Sequence, residues 1–227
     1  MTRRMAAPKQ VIKRLPVYLR ILDNLVRREV KVISSRELSL ASGFSAEQIR
    51  KDLAHFGAFG MRGTGYNTAY LRNKILKIIG LDQHTNIIVI GAGHLGKALT
   101  RYNAIKNPYV NIVGVFDSDP RTVGDRIGDL EIFYLDKLPR VIEQHQVKVA
   151  IITVPVEAAQ QVVDEIAGYG VRAILNFAPA KLQAPKNVHI HNADLTIELQ
   201  SLIYYSTSEE EKLVNLQRES IEDKSRG

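Results

Sequence analysis

Apolar positions change their period along this chain. From about Pro8 to Arg28 they recur every three or four residues, at Leu15, Tyr18, Leu19, Leu22 and Leu25/Val26, which predicts an amphipathic helix. Pro16 lies inside this stretch and predicts an interruption, or a late start to the regular part. Ser34-Ser35-Arg36-Glu37 has the spacing of a capping box and predicts the start of a second helix. Ser45-Ala46-Glu47-Gln48 predicts a third, over about Ala46–Phe56, with Ile49, Leu53 and Phe56 on its buried side. Ala41-Ser42-Gly43-Phe44 is the turn between them, so the pair reads as a helix-turn-helix. From Gly57 to Gly65 four of nine residues are glycine. No stable helix tolerates that, and a tight hairpin is predicted there, a wing beside the third helix.

Around Gly80-Leu81-Asp82-Gln83-His84 the pattern turns to β-branched runs. Asn86–Ile90 reads as a parallel strand buried on both faces. A helix from about His94 to Tyr102 follows, then a strand at Ile112–Phe116. Further strands are predicted at Val149–Val154 and Val171–Asn176, with a helix from about Glu157 to Gly168 between them. A last helix is predicted over Ser208–Asp223, capped by Ser208-Glu209-Glu210-Glu211. Its stripe of Leu213, Val214, Leu216 and Ile221 is thin, so it docks on its own chain or on a second subunit. The fold class is α/β: an N-terminal winged helix-turn-helix domain (1–80), a Rossmann-like parallel-sheet domain (81–206) and a C-terminal dimerisation helix (207–227). The longest apolar runs are too short to span a bilayer and Met1-Thr-Arg-Arg is followed by no apolar segment, so a cytoplasmic protein with no membrane partner is expected.

Charge sharpens this division. The chain of 227 residues has a formal net charge of +7. Residues 1–80 hold 16 Lys/Arg against 5 Asp/Glu, and the rest hold 15 against 19. A basic segment joined to a mildly acidic body is the electrostatic footprint of nucleic-acid binding. On the third helix Gln48, Arg50, Lys51 and His55 face away from the apolar side and suit base edges and phosphates. The hairpin would bring Arg62 to the DNA backbone or minor groove.

The run Gly91-Ala92-Gly93-His94-Leu95-Gly96 joins a predicted strand to a predicted helix, the setting in which G-x-G-x-x-G binds dinucleotides. Gly91 permits the tight turn, Gly93 lets the backbone approach a pyrophosphate at the helix N-terminus, and Gly96 allows close helix–strand packing. Asp117 ends the second strand, twenty-one residues after Gly96. A carboxylate there accepts ribose hydroxyls and repels a 2′-phosphate, favouring NADH/NAD+ over the phosphorylated pair. Ligands in such sheets lie at the carboxyl ends of strands, which adds Thr153, Val154, Pro155, Asn176 and Phe177 as candidate neighbours.

Catalytic chemistry is missing. None of the six histidines has an acid partner at fixed spacing, and about 145 residues leave no room for a separate substrate domain. There is no cysteine, so disulfides, cysteine–zinc sites and thiol switches are excluded, and no metal is expected. A cofactor site without catalytic groups, joined to a DNA-binding module, reads as a sensor, not an enzyme. A small NAD-dependent oxidoreductase with a basic accessory domain is the alternative, and a CoA-binding module a third reading.

These stretches resemble the Rex family of bacterial redox-sensing transcriptional repressors over essentially the whole chain. The match lies in Arg14-Leu15-Pro16, Tyr18-Leu19-Arg20, Ser34-Ser35, Ile49–Leu53, Phe56-Gly57 through Gly65-Tyr66, Gly91–Gly96, Thr153–Pro155 and Ile174–Pro179. The resemblance implies a homodimer that binds a palindromic operator and is released by NADH. It implies that Lys51 reads bases, that Arg50 and Arg62 support it, and that Arg14, Ser45, Gly63 and Tyr66 join Gln48 and His55 at the DNA. It also implies a switch in which Asp194 exchanges between Tyr102 and Arg20 of the partner subunit, and a C-terminal helix exchanged between subunits. Some members have an aromatic after the aspartate, where Leu195 stands here.

Overall fold

The computed structural model describes residues 7–61 and 63–208. The chain divides into two compact units, Met1–His84 and Thr85–Gly227.

The first unit opens with α1, Lys9–Arg27, which buries Val11, Leu15, Tyr18, Leu19 and Leu22. The helix runs unbroken through Pro16, against both expectations for that residue. Pro16 forgoes one backbone hydrogen bond on the exposed face, and five buried side chains offset that cost: packing overrides local propensity. A two-residue strand β1, Val32–Ile33, precedes α2, Ser35–Ser42. The capping box of α2 is complete: the Glu37 amide donates to Ser34 Oγ at 3.1 Å and the Ser34 amide to the Glu37 carboxylate at 2.7 Å. Gly43 closes the helix at φ +76°, a left-handed conformation that glycine adopts freely.

Helix α3, Ala46–Ala54, has half a box. Ser45 Oγ accepts from the Gln48 amide at 3.1 Å, but the Gln48 side chain turns the other way and donates to Asp52 at 2.8 Å. The helix ends before Phe56, two residues short of the predicted bound, and Phe56 is only partly buried. Strands β2, Gly60–Met61, and β3, Gly65–Asn67, form the predicted hairpin, with β1 completing an antiparallel sheet ordered β1-β3-β2. A Cβ on Gly65 would lie 2.6 Å from the Ile33 carbonyl oxygen, so the sheet closes only around glycine. Helix α4, Thr68–Ile79, packs against α1.

Under α3 lies an aspartate that the apolar pattern gave no reason to bury. Asp52 is fully enclosed. It accepts from Arg14 Nε at 2.6 Å, Arg14 Nη2 at 2.7 Å, the Tyr18 hydroxyl at 2.7 Å and Gln48 Nε2 at 2.8 Å. Burial by itself would raise its pKa; the hydrogen bonds from Arg14, Tyr18 and Gln48 and the charge of Arg14 outweigh burial and hold it below the usual range.

The second unit is a seven-stranded sheet. Its elements in chain order are β4 (Thr85–Ile90), α5 (His94–Lys106), β5 (Val110–Asp117), β6 (Arg126–Ile127), β7 (Leu130–Tyr134), α6 (Leu138–Gln144), β8 (Val149–Ile152), α7 (Val156–Gly168), β9 (Ala173–Asn176) and β10 (His189–Asn192). The spatial order is β10-β9-β8-β4-β5-β7-β6, parallel except for β6. Without that antiparallel edge, this is the strand order of dinucleotide-binding sheets, whose connectivity reverses between β4 and β8. The alternating residues of β4 explain its unbroken apolar run: Ile88 and Ile90 enter the core on one face of the sheet, Ile87 and Val89 on the other.

Residues 195–208 form a further helix, α8. Asp194 caps it, accepting from the amides of Thr196 at 2.9 Å and Ile197 at 3.2 Å. The predicted helix over Ser208–Asp223 lies outside the described residues except for Ser208. Among the described residues no helix is long and apolar enough to cross a membrane, and no cluster of metal-ligating side chains occurs.

Asp52→Ala would leave Arg14 without its partner at a largely buried position, at an expected cost of about 3 kcal/mol. Hydrogen exchange should show that loss across α1 and α3; protection within about 0.5 kcal/mol of wild type would contradict the assignment. Because folding lowers the Asp52 pKa, its contribution is complete above the unfolded value of about 3.9 and fades as pH falls through the folded one.

Candidate functional site

In the first unit the exposed face of α3 and the hairpin border a groove of about 480 Å³, lined among others by Ser35, Arg50, Phe59, Gly63 and Tyr66. Arg50 donates to Ser35 Oγ at 3.1 Å, which ties the third helix to the start of the second and brings in a serine absent from the expected contact set. Lys51 is exposed and pairs with Glu47 at 2.7 Å, one turn back. Such a surface pair is worth at most about 1 kcal/mol, so a stronger anion can claim the lysine. The hydrogen bond and charge of Lys51 hold the Glu47 carboxyl below its usual range. His55 is exposed, its ring edge against Phe56 at 6.5 Å. Burial pushes the Tyr66 phenol up, opposed by the positive charge of Arg50. Gly63 sits at the hairpin tip at φ +83° with open space around it. Arg62 lies outside the described residues.

Three side chains expected at DNA are engaged elsewhere. The guanidinium of Arg14 is committed to Asp52 and lies over the Phe44 ring, 5.8 Å from its centre. The Gln48 amide also donates to Asp52, and Ser45 Oγ caps its own helix. Each follows from a buried carboxylate or a helix terminus that needs hydrogen-bonding partners before any ligand arrives.

In the second unit the loop between β4 and α5 is built from three glycines with different tasks. Gly91 takes φ +96°, and a Cβ there would lie 2.7 Å from the Thr153 backbone. A Cβ on Gly96 would lie 1.9 Å from the Gly91 carbonyl oxygen. A Cβ on Gly93 would meet nothing within 4 Å. Gly91 and Gly96 are therefore required by the fold, whereas Gly93 faces open space at the N-terminus of α5. Gly91, Ala92 and Gly96 are buried; Gly93, His94 and Leu95 form the exposed surface of the loop. No side chain caps α5. Its first amides and the helix dipole are thus suited to an anion.

Asp117 stands at the end of β5 against this loop. One carboxylate oxygen accepts from the Ala92 amide at 2.6 Å, the other from the Asp119 amide at 2.9 Å. Each oxygen keeps a further lone pair for a hydroxyl donor. Asp119 itself is paired with Arg121 at 2.9 Å, and that hydrogen bond and charge hold its carboxyl low.

Thr153 braces the loop from β8: its hydroxyl donates to the Gly91 carbonyl at 2.8 Å and its amide to the Ile90 carbonyl at 2.8 Å. Val154 packs into the core and Pro155 caps α7 from an exposed position. Asn176 is fully buried, donating to the Ala178 carbonyl and to Asn192 Oδ1 and accepting from the Ala178 amide. Its amide therefore shapes the turn after β9 from beneath. Phe177 is half-buried against the core, its amide donating to the Ile152 carbonyl at 2.9 Å.

Of the three expected switch residues, Arg20 is exposed on α1 and Tyr102 exposed on α5. Asp194 is the cap of α8, a role its sequence position before Leu195-Thr196 could have signalled.

Two family models match: one described as a CoA binding domain, over residues 82–180, and one described as a putative DNA-binding protein N-terminus, over residues 6–54. The chain is 56% identical over 223 residues to a redox-sensing transcriptional repressor Rex of Natranaerobius thermophilus, covering 98% of this chain and 99% of that one. It is 44% identical over 197 residues to the Rex repressor of Brevibacillus brevis, covering 87% and 95%. Among solved structures it resembles RSP in complex with β-NAD+ and operator DNA, with TM-score 0.84 and 39% identity over 94% of this chain and 98% of that one. RSP, a Rex-family repressor, has also been solved in complex with β-NADH, with TM-score 0.79 and 38% identity over 92% and 99%.

The glycine geometry yields a paired prediction. Gly96→Ala should lower the melting temperature by several degrees or abolish folding, because backbone must move. Gly93→Ala should melt within about 1–2 °C of wild type yet bind NADH at least about tenfold more weakly, since a methyl group would occupy the approach to the loop amides. Equal effects of the two on melting would refute the division of labour.

Proposed function

This chain belongs to the Rex family of redox-sensing transcriptional repressors, and from that premise we propose how its own residues bind DNA and the dinucleotide. It is a DNA-binding repressor whose effectors are NADH and NAD+. The observation that carries the reading is the conjunction of a +11 helix-turn-helix unit with a glycine loop whose Gly93 faces open space beside Asp117.

On the DNA side, Lys51 reads base edges and Arg50, steadied by Ser35, supports it. Arg62, Gly63, Tyr66 and His55 contribute backbone contacts. Arg14, Gln48 and Ser45 act by holding the helix-turn-helix in shape. The unit works as a homodimer on a palindromic operator, with half-sites about one helical turn or a multiple apart. Helix α8 supports the dimer: Leu195, Ile197, Leu199, Leu202, Ile203 and Tyr204 are each more than half exposed on one chain, more apolar surface than a helix leaves in water.

On the dinucleotide side, the amides of the Gly93–Leu95 loop hold the pyrophosphate and Asp117 accepts from the ribose hydroxyls. Val154, Pro155 and Phe177 border the nicotinamide end. The oxidised and reduced rings differ by one charge and in planarity, so a pocket can bind them unequally. A ligand shifts an equilibrium only by its differential affinity for two states, and full release needs about 10⁴-fold preference. Arg20, Tyr102 and Asp194 are the proposed switch, Asp194 by leaving the cap of α8. The protein turns over no substrate and acts in the cytoplasm. The match to a CoA binding domain favours CoA as a second reading. Asp117 opposes it, because CoA carries a 3′-phosphate on the ribose that a carboxylate repels.

A duplex with two inverted half-sites, recovered by selection from random DNA, should bind with strong salt dependence and be released by micromolar NADH but not by CoA. Retention of that complex by NADH-saturated protein would overturn the repressor-release reading; release by CoA would favour the second. Lys51→Ala should relax preference for the half-site by about 10–100-fold. Asp117→Ala should weaken NADH about tenfold in calorimetry without changing the duplex affinity of the free protein.

A further inference from the structure

Arg50 and Lys51 are followed directly by the fully buried Asp52. On a helix of 3.6 residues per turn, position 52 lies on the same face as 48 and beside 49 and 53, while 50 and 51 are turned outward. Ile49 and Leu53 bury that inner face. Apolar contact has no direction and sets the distance of a helix from its neighbours better than its rotation. Hydrogen bonds do have direction. Each oxygen of Asp52 receives two: Oδ2 from Arg14 Nε and the Tyr18 hydroxyl, Oδ1 from Arg14 Nη2 and Gln48 Nε2. Phe44, in the turn before α3, closes the clasp from below: Tyr18 meets it edge-on at 5.9 Å and Arg14 lies over its ring.

We propose that Asp52 is a positioning residue for DNA reading: its clasp with Arg14 and Tyr18 of α1, with Gln48 of its own helix steadying the carboxylate, fixes the rotation of α3 so that Lys51 and Arg50 meet base edges. The proposal rests on α3 being the recognition helix. A roll of about 20° carries a side chain at the helix surface, about 6 Å from the axis, by ~2 Å. That breaks a base-edge hydrogen bond, whose donor–acceptor window is about 0.5 Å wide. It hardly alters attraction to phosphates, which acts over about 10 Å at moderate salt. The clasp should therefore govern specificity and leave non-specific affinity alone. Stability is a weak reason for it, since buried ion pairs replaced by apolar groups of similar volume are often neutral or stabilising.

The triple variant Arg14→Met/Tyr18→Phe/Asp52→Leu removes the polar clasp and keeps its volume. Anisotropy titrations of the full chain on the selected operator and on a scrambled duplex, with melting curves alongside, decide the matter. The expected result is a melting temperature close to wild type, an unchanged scrambled-duplex affinity and salt slope, and at least a tenfold loss of the operator-to-scrambled ratio. Adding Lys51→Ala to the triple variant should then cost less than it costs wild type, because the lysine is already misplaced. An unchanged ratio, an equal loss on both duplexes, or full additivity with Lys51→Ala would overturn the proposal. If the triple variant does not fold, Tyr18→Phe removes one of the three bonds that tie α3 to α1 and should lower the ratio roughly two- to fivefold; no change would overturn it. Wild-type protein that fails to prefer the operator would defeat the recognition-helix reading itself, a separate outcome.

Discussion

A methyl group on Gly96 would sit 1.9 Å from the Gly91 carbonyl oxygen, closer than any non-bonded pair can stand. The whole dinucleotide-binding unit depends on its absence. Only without it can α5 fold back so tightly on β4 that its uncapped N-terminus opens at the carboxyl edge of the sheet. The same approach brings Ala92 within hydrogen-bonding reach of Asp117 and the Gly91 carbonyl within reach of the Thr153 hydroxyl. Three strands thus brace one loop, at the point where the order of a parallel sheet reverses and leaves a crevice for a ligand.

The N-terminal unit solves a related problem by other means. It must hold a helix of 9 residues against its neighbours while carrying a dense positive charge. One buried carboxylate answers both needs: it neutralises Arg14 inside the fold and ties α3 to α1 through three hydrogen bonds, two from Arg14 and one from Tyr18. The cations of α3 itself, Arg50 and Lys51, keep only weak surface partners, so they are available to a polyanion.

Much of this was legible in the residues. Helix periods, the Ser34 capping box, the glycine hairpin and the G-x-G-x-x-G turn each have a local physical cause, and local causes leave a local pattern. What escaped depended on contacts distant in sequence. Asp52 stands 38 residues from Arg14, and nothing local says that a charge in Arg-Lys-Asp-Leu points inward. Its place at the spacing of Ile49 and Leu53 was the one available hint. Pro16 stayed in its helix because α1 packs along its whole length. Strand β6 and the two-residue β1 are held by their neighbours, with too few residues to show alternation. Helix α8 does carry a helical signal, Leu195, Leu199, Leu202 and Ile203 at the spacing of one face, but none of these residues is buried within the chain, so no internal partner marks it.

Function here is a coupling free energy between two ligands. Any such coupling is reciprocal: if NADH weakens operator binding by some factor, the operator must weaken NADH binding by the same factor. The central claim, that one protein trades DNA for reduced dinucleotide, stands or falls on that symmetry. The most direct measurement is NADH affinity by calorimetry for the free protein and for the protein saturated with operator. The account predicts a weaker NADH affinity in the DNA complex, by the factor with which NADH weakens the operator. Equal NADH affinity in the two states would contradict it.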